Sequence, residues 1–168
     1  KGCEVCFFLP ICRSLIPSSQ SPGVELGGQW PPVGIESINP FELPLLNTLL
    51  LLTSGATVTY AHHALMNKNR TVAISGLFLT IVLAVLFTFC QGIEYINAPF
   101  TIADGVYGST FFLSTGFHGF HVIVGTIMLA VSLGRLIQYH FTNTHHVGYE
   151  SGILYWHFVD VVWLFLFV

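Results

Sequence analysis

Four apolar runs dominate the chain. They span residues 43–66, 71–93, 105–134 and 151–168, and apart from Asp160 they carry no charged side chain when their histidines are neutral. A transmembrane helix needs roughly 20 predominantly apolar residues, and each run approaches or exceeds that length. The pattern therefore predicts an all-α, polytopic membrane helix bundle without a separate soluble domain.

Polar segments rich in turn-forming residues separate these runs. Residues 18–38 are rich in Pro, Gly and Ser and predict a loop. Asn39 followed by Pro40 predicts a helix start, because asparagine is a good N-cap and proline fits the first turn. The predicted organisation is a remnant of an earlier span at 1–17, the loop at 18–38, and four helices within 39–168. The four predicted helices run from Pro40 to about Met66, from Thr71 to about Tyr95, from a cap at Asp104 to near Tyr139, and through 151–168.

Basic residues fall in alternate connectors. Lys68 and Arg70 lie between the first two of the four predicted helices, and Arg135 lies beside the connector between the last two. The other connectors contain acidic residues and no Lys or Arg: Glu25, Glu36, Glu42 and Asp104. Because Lys and Arg favour the inner side of a membrane, both basic connectors are predicted to lie on that side.

Composition and charge narrow the class of protein further. Hydrophobic residues make up 53% of the chain and charged residues 8%, and the net charge is −3. An ordinary globular domain has about a quarter of its residues charged, so the surface of this chain cannot be mostly hydrated. Nucleic-acid binding relies on basic patches, and no nucleic-acid partner is predicted.

Clustered histidines raise the hypothesis of a metal site. Three groups superficially resemble the histidine boxes of membrane di-iron enzymes: His62-His63, His118-x-x-His121, and His140 with His145-His146. Adjacent helical residues point about 100° apart, so His62 and His63 cannot serve one metal as a pair. The second group falls in mid-membrane, whereas the third falls in a connector. We therefore predict no metal site.

The predicted helix that contains His118 and His121 has two distinct faces. The two histidines share one face with Ser114 and Gly125. A different face carries a stripe of small residues, which permits close approach of another helix in lipid. The members of this stripe are Gly108, Thr115, Gly119 and Thr126.

An ionisable side chain inside a membrane needs a polar partner. The acidic candidates within or at the edge of a predicted span are Glu4, Glu94 and Asp160. Interhelical hydrogen bonding is the simpler explanation for His118 and His121. A histidine–metal membrane enzyme and a proton carrier that uses Glu4 are the alternative functions.

Three long motifs carry a family resemblance. They read WPPVGIESINPFELPLLNTLLLLTSGATVTYAHHALM, EYINAPFTIADGVYGSTFFLSTGFHGFHVIVGT and HHVGYESGILYWHFVDVVWLFLFV. Together they resemble subunit III of mitochondrial cytochrome c oxidase over nearly all of the chain beyond Pro22. That family has seven membrane helices. The resemblance therefore implies a fragment that lacks the first two helices, begins within the third and stops short of the extreme C-terminus.

The resemblance implies a non-catalytic core subunit of a haem-copper oxidase in the mitochondrial inner membrane. Haem and copper would lie in partner subunits, among them subunit I, and this subunit would hold no redox centre. It would support the catalytic subunit and its proton uptake during electron transfer from cytochrome c to oxygen. It would also bind phospholipid.

The resemblance further implies roles for particular side chains. The segment CEVCFF places Glu4 at the position of the family's carbodiimide-reactive glutamate, with His118 and His121 as its polar partners. Lipid head groups are expected at Arg135, since an arginine at a helix end can snorkel and pair with a phosphate. Further candidate donors in the adjoining connector are His140, His145 and His146.

One stretch departs from the family pattern. Where the family continues a helix, this chain reads FFLPICRSLIPSSQSP, with Arg13 at a tryptophan position and Pro10 and Pro17 within the segment. An interior proline costs a helix about 3 kcal/mol. The family pattern resumes in register at VELGG, which indicates a local reading-frame or transcript-editing artefact.

Overall fold

The computed structural model describes residues 41–103, 105–141 and 146–168, together with residues 10, 13, 16–17 and 19–21. The described ranges form helices α1 (Leu43–Met66), α2 (Arg70–Asn97), α3 (Gly105–Ile137) and α4 (Val147–Phe167), and no described residue lies in a β-strand. All four helices are long and apolar enough to cross a membrane. The predicted all-α, polytopic membrane bundle is confirmed.

Helix α1 ends at Met66, as the sequence predicts, but it begins at Leu43 rather than near Pro40. Phe41 and Glu42 form a turn, and Pro44 occupies the first helical turn. Proline is tolerated there because its missing N–H would have no intrahelical acceptor. The predicted caps at Asn39 and Asp104 lie outside the described residues.

Helix α4 begins a turn earlier than the apolar run predicts. The backbone N–H groups of Tyr149 and Glu150 donate to the carbonyl of His146 at 2.9 and 3.1 Å. Helical structure therefore extends into the polar connector, which hydropathy alone assigns to a loop.

The predicted span remnant at 1–17 and the loop at 18–38 lie mostly outside the described residues, and both stay predictions. At the positions that are described, helical geometry continues past Pro17. The N–H of Ser21 donates to the Pro17 carbonyl at 2.9 Å, and the Ser19 hydroxyl donates to the Ile16 carbonyl at 2.9 Å.

The chain divides into two compact units. One comprises Lys1–Asn39 with Ile96–Phe117, and the other, called here the larger unit, comprises Pro40–Tyr95 with His118–Val168. In the described part of the first, the Ser109 hydroxyl donates to the Ile102 carbonyl at 2.7 Å. The Phe100 ring meets three aromatic rings edge-on at centroid distances of 5.2–5.7 Å: Tyr107, Phe111 and Phe112. These contacts hold the preceding loop against the start of α3.

Small residues allow α1 and α2 to pack closely in the larger unit. Ala61 is fully buried, and a Cβ atom built on Gly76 would lie 3.0 Å from the Ala61 Cβ. The Thr57 and Thr80 hydroxyls form a hydrogen bond of 2.8 Å between the same helices. Close packing of small residues and interhelical hydrogen bonds are the contacts that hold helices together in lipid.

Hydroxyl groups along α1 donate their hydrogen within their own helix. Thr48 donates to the Pro44 carbonyl at 2.9 Å, and Ser54 donates to the Leu51 carbonyl at 2.6 Å. Each bond satisfies the hydroxyl donor and leaves oxygen lone pairs free. These oxygens can therefore accept hydrogen bonds from a neighbouring helix.

The two basic connectors lie at one end of the larger unit, called here the basic end. An Arg70 guanidinium N–H donates to the Leu136 carbonyl near the end of α3, and the guanidinium carbon lies 3.5 Å from the centre of the Tyr139 ring. Lys68 and Tyr139 have φ of 63° and 62°, and each follows the end of a helix in a left-handed conformation. The N–H groups of the next residues close both helix ends on earlier carbonyls, which is the Schellman arrangement.

Candidate functional site

Two indole groups join α4 to α1. Trp156 Nε1 donates to Ser54 Oγ at 3.0 Å, and Trp163 Nε1 donates to Thr48 Oγ1 at 3.0 Å. All four side chains are buried. A buried indole N–H needs an acceptor, and each hydroxyl oxygen is free to accept because its hydrogen is already donated within α1. We call this interface the α1–α4 seam.

A carboxyl group lies within the α1–α4 seam. Asp160 is buried, and its Oδ2 lies 3.9 Å from His157 Nδ1. His157 Nε2 is 3.1 Å from the Thr59 hydroxyl oxygen. A Cβ atom built on Gly55 would lie 2.5 Å from Asp160 Oδ2, so the carboxyl group occupies the space that a side chain at residue 55 would need.

We expect Gly55→Ala to displace the Asp160 carboxyl group and destabilise the α1–α4 seam. Overpacking of this kind costs about 1–3 kcal/mol. Gly92→Ala is the matched control, because a Cβ built there meets no described atom within 4 Å. Thermal denaturation of the purified membrane protein should show a lower midpoint for the first variant only. Equal midpoints would contradict the close contact between Gly55 and Asp160.

His118 and His121 both contact α4. His118 is buried, and its Nε2–H donates to the Val159 carbonyl at 3.2 Å. Its ring packs against Phe87 and Trp163, at centroid distances of 5.9 and 5.1 Å, and those two rings also meet each other at 5.0 Å. His121 Nδ1 lies 2.5 Å from the Tyr155 hydroxyl oxygen. The two histidines therefore connect α3 to α4 through one backbone acceptor and one side chain.

The predicted acidic partner of these histidines, Glu4, lies outside the described residues, so the pairing stays a prediction. His118 Nδ1 is buried and has no hydrogen-bond partner within the described part of the chain. The other acidic candidates have different neighbours, since Asp160 faces His157 and Glu94 accepts from Asn47. The sequence does not predict the Val159 carbonyl as a partner, because a backbone acceptor has no residue signature.

The predicted small-residue stripe does not pack closely at Gly119. A Cβ built there would meet no atom within 4 Å among the described residues. A Cβ on Gly125 would instead lie 3.0 Å from Trp156 Cε3 and 3.3 Å from Tyr155 Cδ1. Close approach at this depth therefore occurs on the histidine face of α3, because the large rings of α4 pack over a glycine there.

A second polar group joins α1 to α2. The Asn47 side-chain amide donates to Gln91 Oε1 and to Glu94 Oε2, both at 3.4 Å, and all three side chains are buried. Asn47 lies in the second turn of α1 and Glu94 in the last turn of α2, so the group lies far along both helices from the basic end. Of these three residues, the sequence indicated only Glu94. Asn47 and Gln91 could also have been identified, because each is a polar residue within an apolar run.

A third polar group lies at the basic end. His62 Nε2 is 3.3 Å from His146 Nε2 and 3.8 Å from Glu150 Oε1, and His146 Nε2 is 3.2 Å from the same oxygen. His62 lies in the last two turns of α1, whereas His146 and Glu150 flank the first turn of α4. His63, the adjacent residue, is exposed. The i, i+4 spacing of His146 and Glu150 at a helix start is the sequence signal for this cluster.

Only two of the predicted lipid-binding residues, Arg135 and His140, lie side by side at the surface. Arg135 is exposed in the last turn of α3, and His140 is exposed beside it, with its backbone N–H donating to the Arg135 carbonyl at 3.0 Å. His146 is 7% exposed, and its Nε2 faces His62 and Glu150 rather than the surface. His145 lies outside the described residues.

Four membrane-length helices, with buried polar side chains bonded from helix to helix, define an integral membrane protein of the polytopic helical class. Residues 2–168 match the family model for cytochrome c oxidase subunit III. The chain is 67% identical over 165 residues to a cytochrome c oxidase subunit 3 from Mycosarcoma maydis, covering 98% of this chain and 60% of that protein. It is 64% identical over 165 residues to the Emericella nidulans protein of the same name, covering 98% and 61%.

The chain belongs to the cytochrome c oxidase subunit III family. It spans about 60% of the length of the curated relatives that it matches. The predicted family membership is confirmed.

Proposed function

We propose that this chain is a non-catalytic core subunit of a respiratory cytochrome c oxidase in the mitochondrial inner membrane. In that complex it supports the catalytic subunit I and its proton uptake, while electrons pass from cytochrome c to oxygen. Haem and copper belong to partner subunits. The observation that carries the proposal is the match to subunit III over residues 2–168.

The contacts of His118 and His121 support a structural role for these two histidines. His118 Nε2 is engaged with a backbone carbonyl of α4, and His121 Nδ1 is engaged with the Tyr155 hydroxyl. Both rings are thus held by a neighbouring helix of the same chain. Such groups fix helix positions, which is what a supporting subunit requires, and they do not form a common ligand set.

Purification through a tag on this chain tests the proposal. The expected result is a detergent-solubilised complex with haem a absorbance that oxidises cytochrome c. A chain that purifies without haem a under conditions that keep other respiratory complexes intact would contradict it. Reconstitution of the purified chain alone then tests the proton-carrier alternative, since a supporting subunit should give no proton flux by itself.

Glu4 is proposed, by resemblance only, to be a carbodiimide-reactive carboxyl group that sustains proton uptake by the catalytic subunit. Replacing Glu4 with glutamine should abolish labelling at this position and leave the complex assembled, because an amide keeps the size and most hydrogen bonds of the acid. Complete loss of oxygen reduction in an assembled complex would assign Glu4 an obligatory step and contradict a supporting role.

Anionic phospholipid is the proposed ligand of the basic end. Arg135 is exposed at the end of α3, where its long side chain can reach head-group phosphates. We expect Arg135→Ala to lower the anionic phospholipid retained by the purified complex, measured by lipid mass spectrometry. Lys68→Ala is the control, because Lys68 is an exposed basic residue at the same end. Equal amounts of retained phospholipid in both variants and the parent would contradict lipid binding by Arg135 and indicate that this residue only sets the orientation of the helix in the membrane.

A further inference from the structure

The cluster at the basic end brings together donor atoms of the kind that bind transition metals. The three atoms are His62 Nε2, His146 Nε2 and Glu150 Oε1, which all lie within 4.8 Å of one another. They come from the end of α1 and the start of α4, both in the larger unit. The Glu150 side chain is 52% exposed and that of His146 is 7% exposed, so the cluster is buried on one side and open on the other.

The spacing of these atoms fits tetrahedral coordination. Zinc binds imidazole nitrogen and carboxylate oxygen at about 2.0–2.2 Å, which puts neighbouring ligand atoms about 3.3 Å apart in a tetrahedron. The His62–His146 and His146–Glu150 separations are 3.3 and 3.2 Å. The His62–Glu150 separation of 3.8 Å would close by a small rotation of the exposed glutamate.

When both imidazoles are neutral, hydrogen bonding joins the three atoms only if His146 Nε2–H is shared between His62 Nε2 and Glu150 Oε1. His146 Nε2 lies within hydrogen-bonding distance of His62 Nε2 and of Glu150 Oε1. A nitrogen of a neutral imidazole either donates or accepts, whereas a carboxylate only accepts. If His146 donates to Glu150 it cannot accept from His62, and if it accepts from His62 it repels the carboxylate. A cation at the centre satisfies all three atoms at once.

Packing around the cluster holds the His62 ring in place. The Tyr149 ring meets it edge-on at a centroid distance of 5.8 Å, and Tyr149 is buried. The His62 and His146 rings are inclined by 67°, so their nitrogens converge from different directions. Metal affinity depends on such support of the ligand orientation.

We propose that His62, His146 and Glu150 form a zinc-binding site at the basic end, with the fourth coordination position open to water. Two imidazoles and one carboxylate with an open position are a ligand set that zinc favours. This proposal opposes the sequence-based prediction of no metal. That prediction compared His62 with His63 and considered the connector histidines separately, whereas the site takes His62 from the first group and His146 from the third. The bound ion would link α1 to α4 across 84 residues of sequence.

Zinc titration of the purified complex tests the site. After treatment with a mild chelator, competition with a chromogenic zinc indicator should reveal one binding site that is lost or weakened at least about tenfold in His62→Ala and in Glu150→Gln. Glu150 is exposed, so its replacement by glutamine leaves the helix packing intact. His63→Ala is the matched control, since it removes an adjacent, exposed histidine outside the cluster.

Cobalt substitution gives an independent readout. The K-edge X-ray absorption of bound Co²⁺ should have the form of a four-coordinate site in the parent and in His63→Ala, and should be lost in His62→Ala. Equal zinc binding in the parent, His62→Ala and Glu150→Gln would overturn the proposal. It would also be overturned if His63→Ala weakened binding as much as His62→Ala. Haem a co-purification is measured on the same samples, so failure of the zinc site is separated from failure of the proposed function.

Discussion

Replacing Trp156 with alanine should destabilise the larger unit by about 3–5 kcal/mol, the cost of removing a fully buried aromatic side chain. Trp156 is 0% exposed, and its ring packs against Gly125 of α3 while its N–H bonds Ser54 of α1. One side chain of α4 therefore contacts both α1 and α3. We expect a lower thermal midpoint and less of this chain retained in the purified complex.

Two further variants separate the contributions of Trp156. Trp156→Phe keeps most of the ring but loses the hydrogen bond to Ser54, and interhelical bonds of this kind average about 0.6 kcal/mol in membrane proteins. Phe165→Ala is the control, because it removes an aromatic ring of the same helix that is 78% exposed rather than buried. If Trp156→Phe is as damaging as Trp156→Ala, the hydrogen bond to Ser54 rather than the packing of the ring dominates, which contradicts the expected order.

Replacing Gly76 with leucine should separate α1 from α2. A Cβ at this position already lies 3.0 Å from the Ala61 Cβ and 3.5 Å from the Thr57 carbonyl oxygen, so further side-chain atoms have no room. Ala61 has no flexible side chain that could move aside. We expect a loss of about 3 kcal/mol or more, because the backbone itself must shift. The Thr57–Thr80 hydrogen bond between the same helices should also break.

Gly92→Leu is the matched control for Gly76→Leu. It makes the same change on the same helix at a position where a Cβ meets no described atom within 4 Å. Disulfide trapping between cysteines introduced on facing positions of α1 and α2 should be slower in Gly76→Leu and unchanged in Gly92→Leu. If both variants behave alike, the approach of the two helices is not limited by residue 76.

The sequence predicts the helices well because each one corresponds to a long, continuous apolar segment of the chain. Burial of apolar side chains in lipid requires about 20 residues, so a window reveals a span without knowledge of its neighbours. The start of α4 is the exception. Gly148 and Glu150 are helical but lie in a polar segment, and hydropathy therefore assigns them to a connector. The N–H groups of Tyr149 and Glu150 donate to the His146 carbonyl at this helix start, and a hydropathy window does not register such bonds.

The polar contacts are harder to predict, because they depend on how helices rotate against one another. His62 meets His146 across 84 residues, and no local spacing relates the two. The rotation of α3 follows from large rings of α4 packing over Gly125, which leaves the predicted face at Gly119 without close neighbours in the described chain. His118 bonds a carbonyl, and every residue carries one. The sequence indicates that such histidines need partners, while packing determines which partners they find.

The α1–α4 seam has a consequence for the order of events during synthesis. Its two indole bonds join residues 102 and 115 positions apart, so α1 enters the bilayer long before α4 has been translated. Ser54 and Thr48 have already donated their hydrogens within α1, so neither hydroxyl is an unsatisfied donor during the interval. Insertion of α1 is thus independent of its final neighbour. When α4 packs against α1, the indole N–H groups of its two tryptophans can then bond hydroxyl oxygens of α1 that are already free to accept.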